Sequence, residues 1–147
     1  MRALTAALAR VRADTARPAA AIVLPPVLMR GWPDPSRWAT CPWPAVGAYA
    51  DAVASMSYRT SYIPASRCAS GDQQYCAYQY TRDNVLLSRQ LTGLPVHVIG
   101  GAGDPATLAQ VSGYVRAARE STAAGGSFYD YRTAKPEFWP YLDQLTA

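Results

Sequence analysis

Short apolar segments alternate with amphipathic segments along this chain, and this alternation constrains the fold more than any other feature. Four apolar segments, each followed by a loop with Gly, Asp or Arg, are predicted as strands at residues 21–24, 52–58, 96–100 and 127–131. Continuous apolar runs are typical of parallel strands that are buried on both faces. Helices are predicted at residues 2–14, at 82–91 between Thr81 and Gly93, from Asp104 to the pair Gly125 and Gly126, and after Thr133.

The strands begin roughly 30 to 45 residues apart, a spacing that suits right-handed βαβ units. We therefore predict one α/β domain over residues 1–147 that forms a partial (half) TIM barrel, with about four parallel strands alternating with helices. Because a typical barrel has about 250 residues and this chain opens in a helix, its N-terminal half is expected to be missing. Four strands leave unpaired edges, so self-association or pairing with the missing half is expected.

Composition argues against several classes of function. Half of the residues are hydrophobic, 16% are charged, and the net charge is +4 with the basic residues scattered. This is a globular composition without the basic stripe or patch that binds nucleic acid or membranes. No apolar run reaches the roughly 18 residues of a membrane span, and Arg10 and Arg12 interrupt the N-terminal stretch where a signal peptide would lie.

The cysteines suggest a disulfide bond rather than a metal site. A bond between Cys68 and Cys76 would close a nine-residue segment and contribute roughly 2.5 kcal/mol in the chain-entropy model. That pairing implies an oxidising compartment, whereas two unpaired thiols are the alternative. One histidine and no CxxC pair make a zinc site improbable, and neither a metal nor a cofactor is expected. Cys41 is left without an assigned partner.

A glycine-rich segment follows the third predicted strand, from His97 to Asp104. Such glycines, placed before a helix, let a ligand approach the backbone at the helix amino end, which favours anions. One interpretation is a phosphate cradle, and the other is a tight turn in which Asp104 caps the following helix. His97 lies inside the apolar strand, so we expect a core histidine rather than a catalytic one. A Ser–His–Asp triad is improbable because the chain has one histidine and no GxSxG motif.

Asp130 lies at the end of the fourth predicted strand, adjacent to the strand that precedes Asp104. Glycosidic cleavage needs two carboxylates, one as acid and one as base or nucleophile. Asp130 and Asp104 are therefore the candidate catalytic residues. The alternative for Asp130 is an ion pair with Arg132 or a neighbouring arginine.

Aromatic and arginine side chains follow several of the predicted strands. Flat rings with polar tips suit sugar faces, although they could equally cover the helical shell of a barrel. Arg30 and Arg59 could hold an anionic group or bond loop carbonyl groups. The aromatic candidates are Trp32, Trp38, Trp43, Tyr58, Tyr62, Tyr129 and Tyr131. Among these, Trp32, Tyr58 and Tyr131 are the predicted substrate-binding residues, together with Arg30 and Arg59.

The segments 94–104 and 126–131, joined by a long helix and followed by a Trp-containing helix, resemble the closing βα units of secreted glycoside-hydrolase-like barrels. The resemblance covers about residues 94–142 best and 20–93 more loosely. It implies a carbohydrate ligand, an extracellular parent protein and, if the chain is an enzyme, a glycoside hydrolase. Glycosidases of this architecture usually carry a key acid on strand four or earlier, which has no counterpart here, so the resemblance assigns Asp104 and Asp130 to the site wall only.

Two alternatives stay open at this point. One is a fragment of a phosphate-binding metabolic TIM barrel, which predicts an anion near Gly101 and Asp104. The other is a non-catalytic interaction module, which predicts no glycan turnover and a stable dimer.

Overall fold

The computed structural model describes residues 2–30, 41–58, 70–102 and 105–145, apart from the side chains of Arg30 and Ala102. The elements in chain order are α1 (Arg2–Asp14), β1 (Ala20–Val23), α2 (Pro26–Arg30), α3 (Trp43–Tyr49), β2 (Ala52–Met56), α4 (Gln73–Thr92), β3 (Val96–Ala102), α5 (Leu108–Glu120), β4 (Gly125–Tyr129) and α6 (Trp139–Leu142). Two 3-10 turns, Pro136–Phe138 and Asp143–Leu145, flank α6.

The four strands form one sheet in the order β1-β2-β3-β4, and every neighbouring pair is parallel. Sequential order with parallel pairing requires each connection to cross from the end of one strand to the start of the next. This confirms the predicted α/β fold, with four parallel strands alternating with helices as in part of a barrel. Because the strands run in the same direction, their carboxyl ends share one edge of the sheet, here called the carboxyl edge.

One face of this sheet, here called the covered face, carries the hydrophobic core. Val96 and Val98 of β3 are fully buried against α4 and α5. Val53 of β2 belongs to a second buried cluster with Val46 of α3, and Leu8 of α1 packs against that cluster. The register sets Val53 beside Val96, so both clusters lie on the same face of the sheet.

The opposite face, here called the open face, carries the alternate side chains of each strand. On the outer strands these are among the most exposed apolar groups of the described residues: Ile22 is 68% exposed and Tyr129 57%. The open face consists of Ile22, Ala54, Met56, His97, Ile99, Ser127 and Tyr129. The four strands contain no Asp, Glu, Lys or Arg.

Helix α4 begins nine residues before the predicted start at Arg82. Asp72 caps it, because the Asp72 carboxylate accepts hydrogen bonds from Gln74 N–H (2.9 Å) and Tyr75 N–H (3.1 Å). Thr81, predicted as the cap, is instead buried within the helix. The end at Gly93 is confirmed, since Gly93 adopts φ 72°.

The bounds predicted for the next helix and strand were also wrong. Helix α5 begins at Leu108, and Thr107 caps it by a capping box with Gln110, so Asp104 is not its cap. Gly125 and Gly126 form the start of β4 rather than the end of the helix. Strand β4 also ends earlier than predicted, at Tyr129, so Asp130 follows the strand.

Pro25 and Pro26 do not extend β1 but begin α2. Leu28 N–H and Met29 N–H both donate to the Pro25 carbonyl, while proline needs no hydrogen-bond acceptor at a helix start. The junction is held from α4, because Val27 N–H donates to the Oδ1 atom of the fully buried Asn84 (3.1 Å). Helix α3 was not predicted, since Pro42 and Pro44 made its sequence look like a loop.

Asp51 ties α1 and β1 to the start of β2. Its two carboxylate oxygens accept from the Arg12 guanidinium at 2.7 and 2.9 Å, and one of them also accepts from Ala19 N–H at 2.8 Å. The hydrogen bond from Arg12, and next that from Ala19, lower the pKa of Asp51. Helix α1 is otherwise loosely held, because none of its residues is buried.

Helices α4 and α5 pack closely against each other at Gly113. A Cβ atom on Gly113 would collide with the Gln74 carbonyl oxygen of α4. Only a residue without a side chain permits this approach of the two backbones.

Gly113→Ala is therefore expected to lower the free energy of unfolding by roughly 1–3 kcal/mol, because two backbones have to separate. Helix propensity alone predicts the opposite sign, a gain of about 1 kcal/mol. Urea unfolding followed by circular dichroism measures the difference, with Arg119→Ala on the exposed side of α5 as the control. A stabilised Gly113→Ala protein would contradict the packing.

Candidate functional site

The carboxyl edge brings together several of the residues that the sequence singled out. Tyr58 follows β2, Gly101 lies near the end of β3, and Tyr129 and Asp130 lie at the end of β4. Parallel pairing of these strands places all of them along one edge, as predicted.

Two tyrosine rings meet across the end of β3. The ring centroids of Tyr58 and Tyr129 are 6.0 Å apart, and the ring planes are inclined by 34°. The rings follow or end β2 and β4, which are not neighbours in the sheet, because β3 lies between them.

A second ring pair extends this surface. Tyr131, which is 81% exposed, lies 5.8 Å from Trp139 of α6, measured between ring centroids. The sequence predicted Trp139 only as a residue of the helix after Thr133, without a place in the site. Its neighbour Phe138 takes the core position of that segment, 1% exposed, and leaves Trp139 at the surface. The four rings of Tyr58, Tyr129, Tyr131 and Trp139 are called the ring surface below.

Asp130 organises the turn between these two ring pairs. Its Oδ1 atom accepts from Arg132 N–H at 2.8 Å and from Thr133 N–H at 3.2 Å. The backbone N–H of Asp130 donates in turn to Thr133 Oγ1 at 3.2 Å. The Asp130 carboxylate therefore contacts Arg132 through the backbone N–H of that residue. Asp130 is half-buried, and its described contacts hold the turn.

Several predicted site residues lie outside the described part of the chain. These are Trp32, Trp38, Arg59, Tyr62, Cys68 and Asp104, and for Arg30 the side chain. The carboxylate pair, the phosphate cradle and the disulfide bond therefore stay predictions. Cys76 lies in the first turn of α4, where its Sγ atom is 3.5 Å from Ser70 Oγ, and Cys41 is a free, half-buried thiol.

Trp43 does not belong to the carboxyl edge. It begins α3 and packs, half-buried, against the cluster of Val23, Val46 and Val53 on the covered face. This is the alternative that the sequence left open for the aromatic set, a ring that covers the helical shell.

His97 is not a core histidine, contrary to the prediction. It lies on the open face, half-buried, and its Nε2 atom is 3.0 Å from Ser127 Oγ. The period of the strand explains this, because Val96 and Val98 take the covered face and leave His97 on the other. Partial burial lowers the pKa of His97.

Tyr114 holds β3 and β4 together, a role that no feature of the sequence indicated. Its hydroxyl is buried and lies 2.9 Å from both the Val98 and the Ser127 carbonyl oxygens, one on each strand. Burial raises its pKa, so this hydroxyl keeps its proton. Glycine provides the room, since a Cβ atom on Gly126 would lie 2.7 Å from the hydroxyl oxygen.

A cavity of about 20 Å³ lies behind the strand ends, between them and α4 and α5. Ser57, Thr81 and Tyr114 are among its lining residues. This volume suits one water molecule, and a sugar is far larger. A sugar bound at the carboxyl edge would therefore lie outside this cavity.

The described ranges bring together no group of three His, Cys, Asp or Glu side chains that could hold a metal ion. Within the same ranges, no helix combines the length and apolarity needed to cross a membrane. Comparisons with family models, curated proteins and solved structures found no match to this chain.

The turn at Asp130 predicts a difference between two substitutions. Asp130→Ala removes the acceptor of two backbone N–H groups and should lower the free energy of unfolding by about 1–2 kcal/mol. Asp130→Asn keeps an oxygen at Oδ1 and should cost less. Urea unfolding measures both, and an Asp130→Ala protein as stable as the parent would show that the carboxylate does not hold the turn.

The lowered pKa of His97 predicts a pH dependence of stability. The unfolded chain binds the proton more readily than the folded chain, so unfolding is favoured as the pH falls below the ordinary value of 6.5. Stability should therefore be full above that value and decrease below it, levelling off beneath the lowered pKa. Unfolding free energies at pH 7.5 and 5.5 should differ less in His97→Asn than in the parent protein.

The single histidine makes the measurement direct, because one imidazole resonance reports the titration by proton NMR. A midpoint at or above 6.5 in the folded protein would contradict the described burial.

Proposed function

We propose that this chain supplies a carbohydrate-binding surface at the carboxyl edge of a glycoside-hydrolase-like barrel. One observation carries the proposal: Tyr58 and Tyr129, from strands that are not neighbours, place their rings 6.0 Å apart at the end of the sheet.

The chemistry of the ring surface suits a sugar. A pyranose presents C–H groups on its faces and hydroxyl groups at its rim, so an aromatic ring can stack on the face while a phenol bonds the rim. Three of the four rings are tyrosines, which carry both groups. The pair of Tyr131 and Trp139 continues the surface beyond the turn at Asp130, which gives length for more than one sugar unit.

Cleavage is the less supported part of the proposal. It needs two carboxylates about 5–10 Å apart, and Asp130 already accepts two backbone hydrogen bonds. We propose Asp130 and Asp104 as the acidic pair, with Trp32, Arg30 and Arg59 in the wall of the site. Binding by the ring surface does not depend on that pair.

The carbohydrate proposal carries with it an extracellular parent protein. A disulfide bond between Cys68 and Cys76 belongs to the same proposal, because an oxidising compartment permits it. The bond would hold the segment before α4 against the first turn of that helix, next to the Asp72 cap.

The phosphate alternative has less support. Helix α5, whose amino end would attract the anion, begins at Leu108, four residues beyond Asp104. Its first turn already uses Thr107 Oγ1 to accept from Gln110 N–H and Gln110 Oε1 to accept from Thr107 N–H. An anion would have to compete with these protein groups.

The ring surface predicts binding of soluble oligosaccharides. We expect one of chitotetraose, cellotetraose or maltotetraose to bind at millimolar or lower concentration in isothermal titration calorimetry. Tyr129→Ala should weaken that binding about tenfold, the size of one lost stacking contact. Tyr49→Ala is the matched control, because Tyr49 lies at the end of α3 next to the start of β2, at the opposite edge of the sheet.

Absence of binding to all three probes, or an equal loss in Tyr49→Ala, would overturn the proposal. Asp130→Asn separates the two roles of Asp130, since it keeps the turn and removes the charge. If binding and any glycan turnover survive that change, Asp130 has no part in the chemistry.

A further inference from the structure

We infer that two copies of this chain associate around a twofold axis that coincides with the axis of a closed barrel. Strand β4 of each copy would pair with β1 of the other, and an eight-stranded parallel barrel would close. This inference concerns the sheet and does not rest on the carbohydrate proposal.

The number and arrangement of the described strands match half of a closed barrel. The sheet has four parallel strands in sequential order, and α1, α3, α4 and α5 all pack on one face. A closed barrel of this type has eight parallel strands with its helices outside. The described strands are thus four of those eight, and the open face would line the interior.

The two edge strands carry none of the charged or proline residues that commonly block edge pairing. Proteins usually guard an edge strand with charges, proline or a bulge. Strand β1 has the sequence Ala-Ala-Ile-Val and strand β4 Gly-Gly-Ser-Phe-Tyr, so both lack a charge and a proline. Their open-face residues Ile22, Ser127 and Tyr129 are exposed.

Twofold symmetry removes both edges in one operation. A twofold axis along the barrel axis keeps all eight strands parallel and places each β1 beside a β4. The two open faces then face each other as the interior, where Ile22, Met56 and Ile99 supply bulk. Strong repulsion is not expected there, because the four strands carry no Asp, Glu, Lys or Arg.

The surface beside β1 offers an apolar groove to the second copy. An apolar groove of about 540 Å³ runs along this edge between α1 and the sheet, lined by Leu4, Leu8, Ile22 and Met29 among others. The groove has room for a strand of the second copy. Helix α1 buries none of its residues and exposes Leu4 and Val11, which gives apolar surface toward Trp139 and α6 of that copy.

Sedimentation velocity and light scattering of the full chain test the inference. We expect a species of twice the 15.9 kDa chain mass at micromolar concentration. Ile22→Asp on β1 and Ser127→Arg on β4 should each weaken the dimer at least about 100-fold, because each buries an unpaired charge. Leu86→Asp is the matched control, since Leu86 is 47% exposed on α4, away from the open face, and its change should leave the dimer intact.

Hydrogen exchange of the unaltered chain gives a second test that needs no folded variant. Peptides covering Ala20–Val23 and Gly125–Tyr129 should both gain protection as the protein concentration rises, while the exposed side of α4 should not. A monomer at all concentrations, protection of only one edge, or a dimer broken by Leu86→Asp would overturn the inference.

Discussion

The fully buried apolar side chains of the described strands lie on one face of the sheet, and the rest of the structure depends on this one-sided packing. Val53, Val96 and Val98 are fully buried beneath the helices. On the other face of the same two strands Ala54 is buried beside half-buried Met56, His97 and Ile99. In a sheet with helices on both faces, His97 and Ile22 would be core residues. Here the same strand period makes one a hydrogen-bonding partner of Ser127 and the other an exposed apolar group.

The shape of the carboxyl edge follows from how closely the elements approach each other on the covered face. Tyr114 reaches both β3 and β4 because Gly100 and Gly126 leave space around its ring and hydroxyl. With β3 and β4 held together, the chain leaves β4 into the turn at Asp130, and the rings on either side of that turn lie at the surface. A buried tyrosine and two glycines thus position a surface to which they do not contribute a side chain.

Much of the fold could be predicted from the chain, because burial of a parallel strand requires an uninterrupted apolar run. All four strands were predicted within a few residues, as was the end of α4 at Gly93, where a positive φ favours glycine. Helix α1 was predicted with the bounds that it has, Arg2–Asp14, whereas the starts of α4 and α5 were predicted poorly. Thr81 and Asp104 are good caps by residue type, but Asp72 and Thr107 are the caps, because the cap is decided by where the helix meets the sheet and its neighbour.

The alternation of apolar and amphipathic segments, together with residue type, determined the class of fold and the direction of the strands. It also determined the place of Tyr58, Asp130 and Tyr131 at one edge of the sheet. These follow from local rules, since a strand has a period of two and parallel strands end together. Which face of each strand is covered, which ring meets Tyr129 and which atoms Asp130 bonds were decided only in the tertiary structure. Those outcomes depend on contacts between residues distant in the chain, and such contacts exist only once helices and sheet have packed.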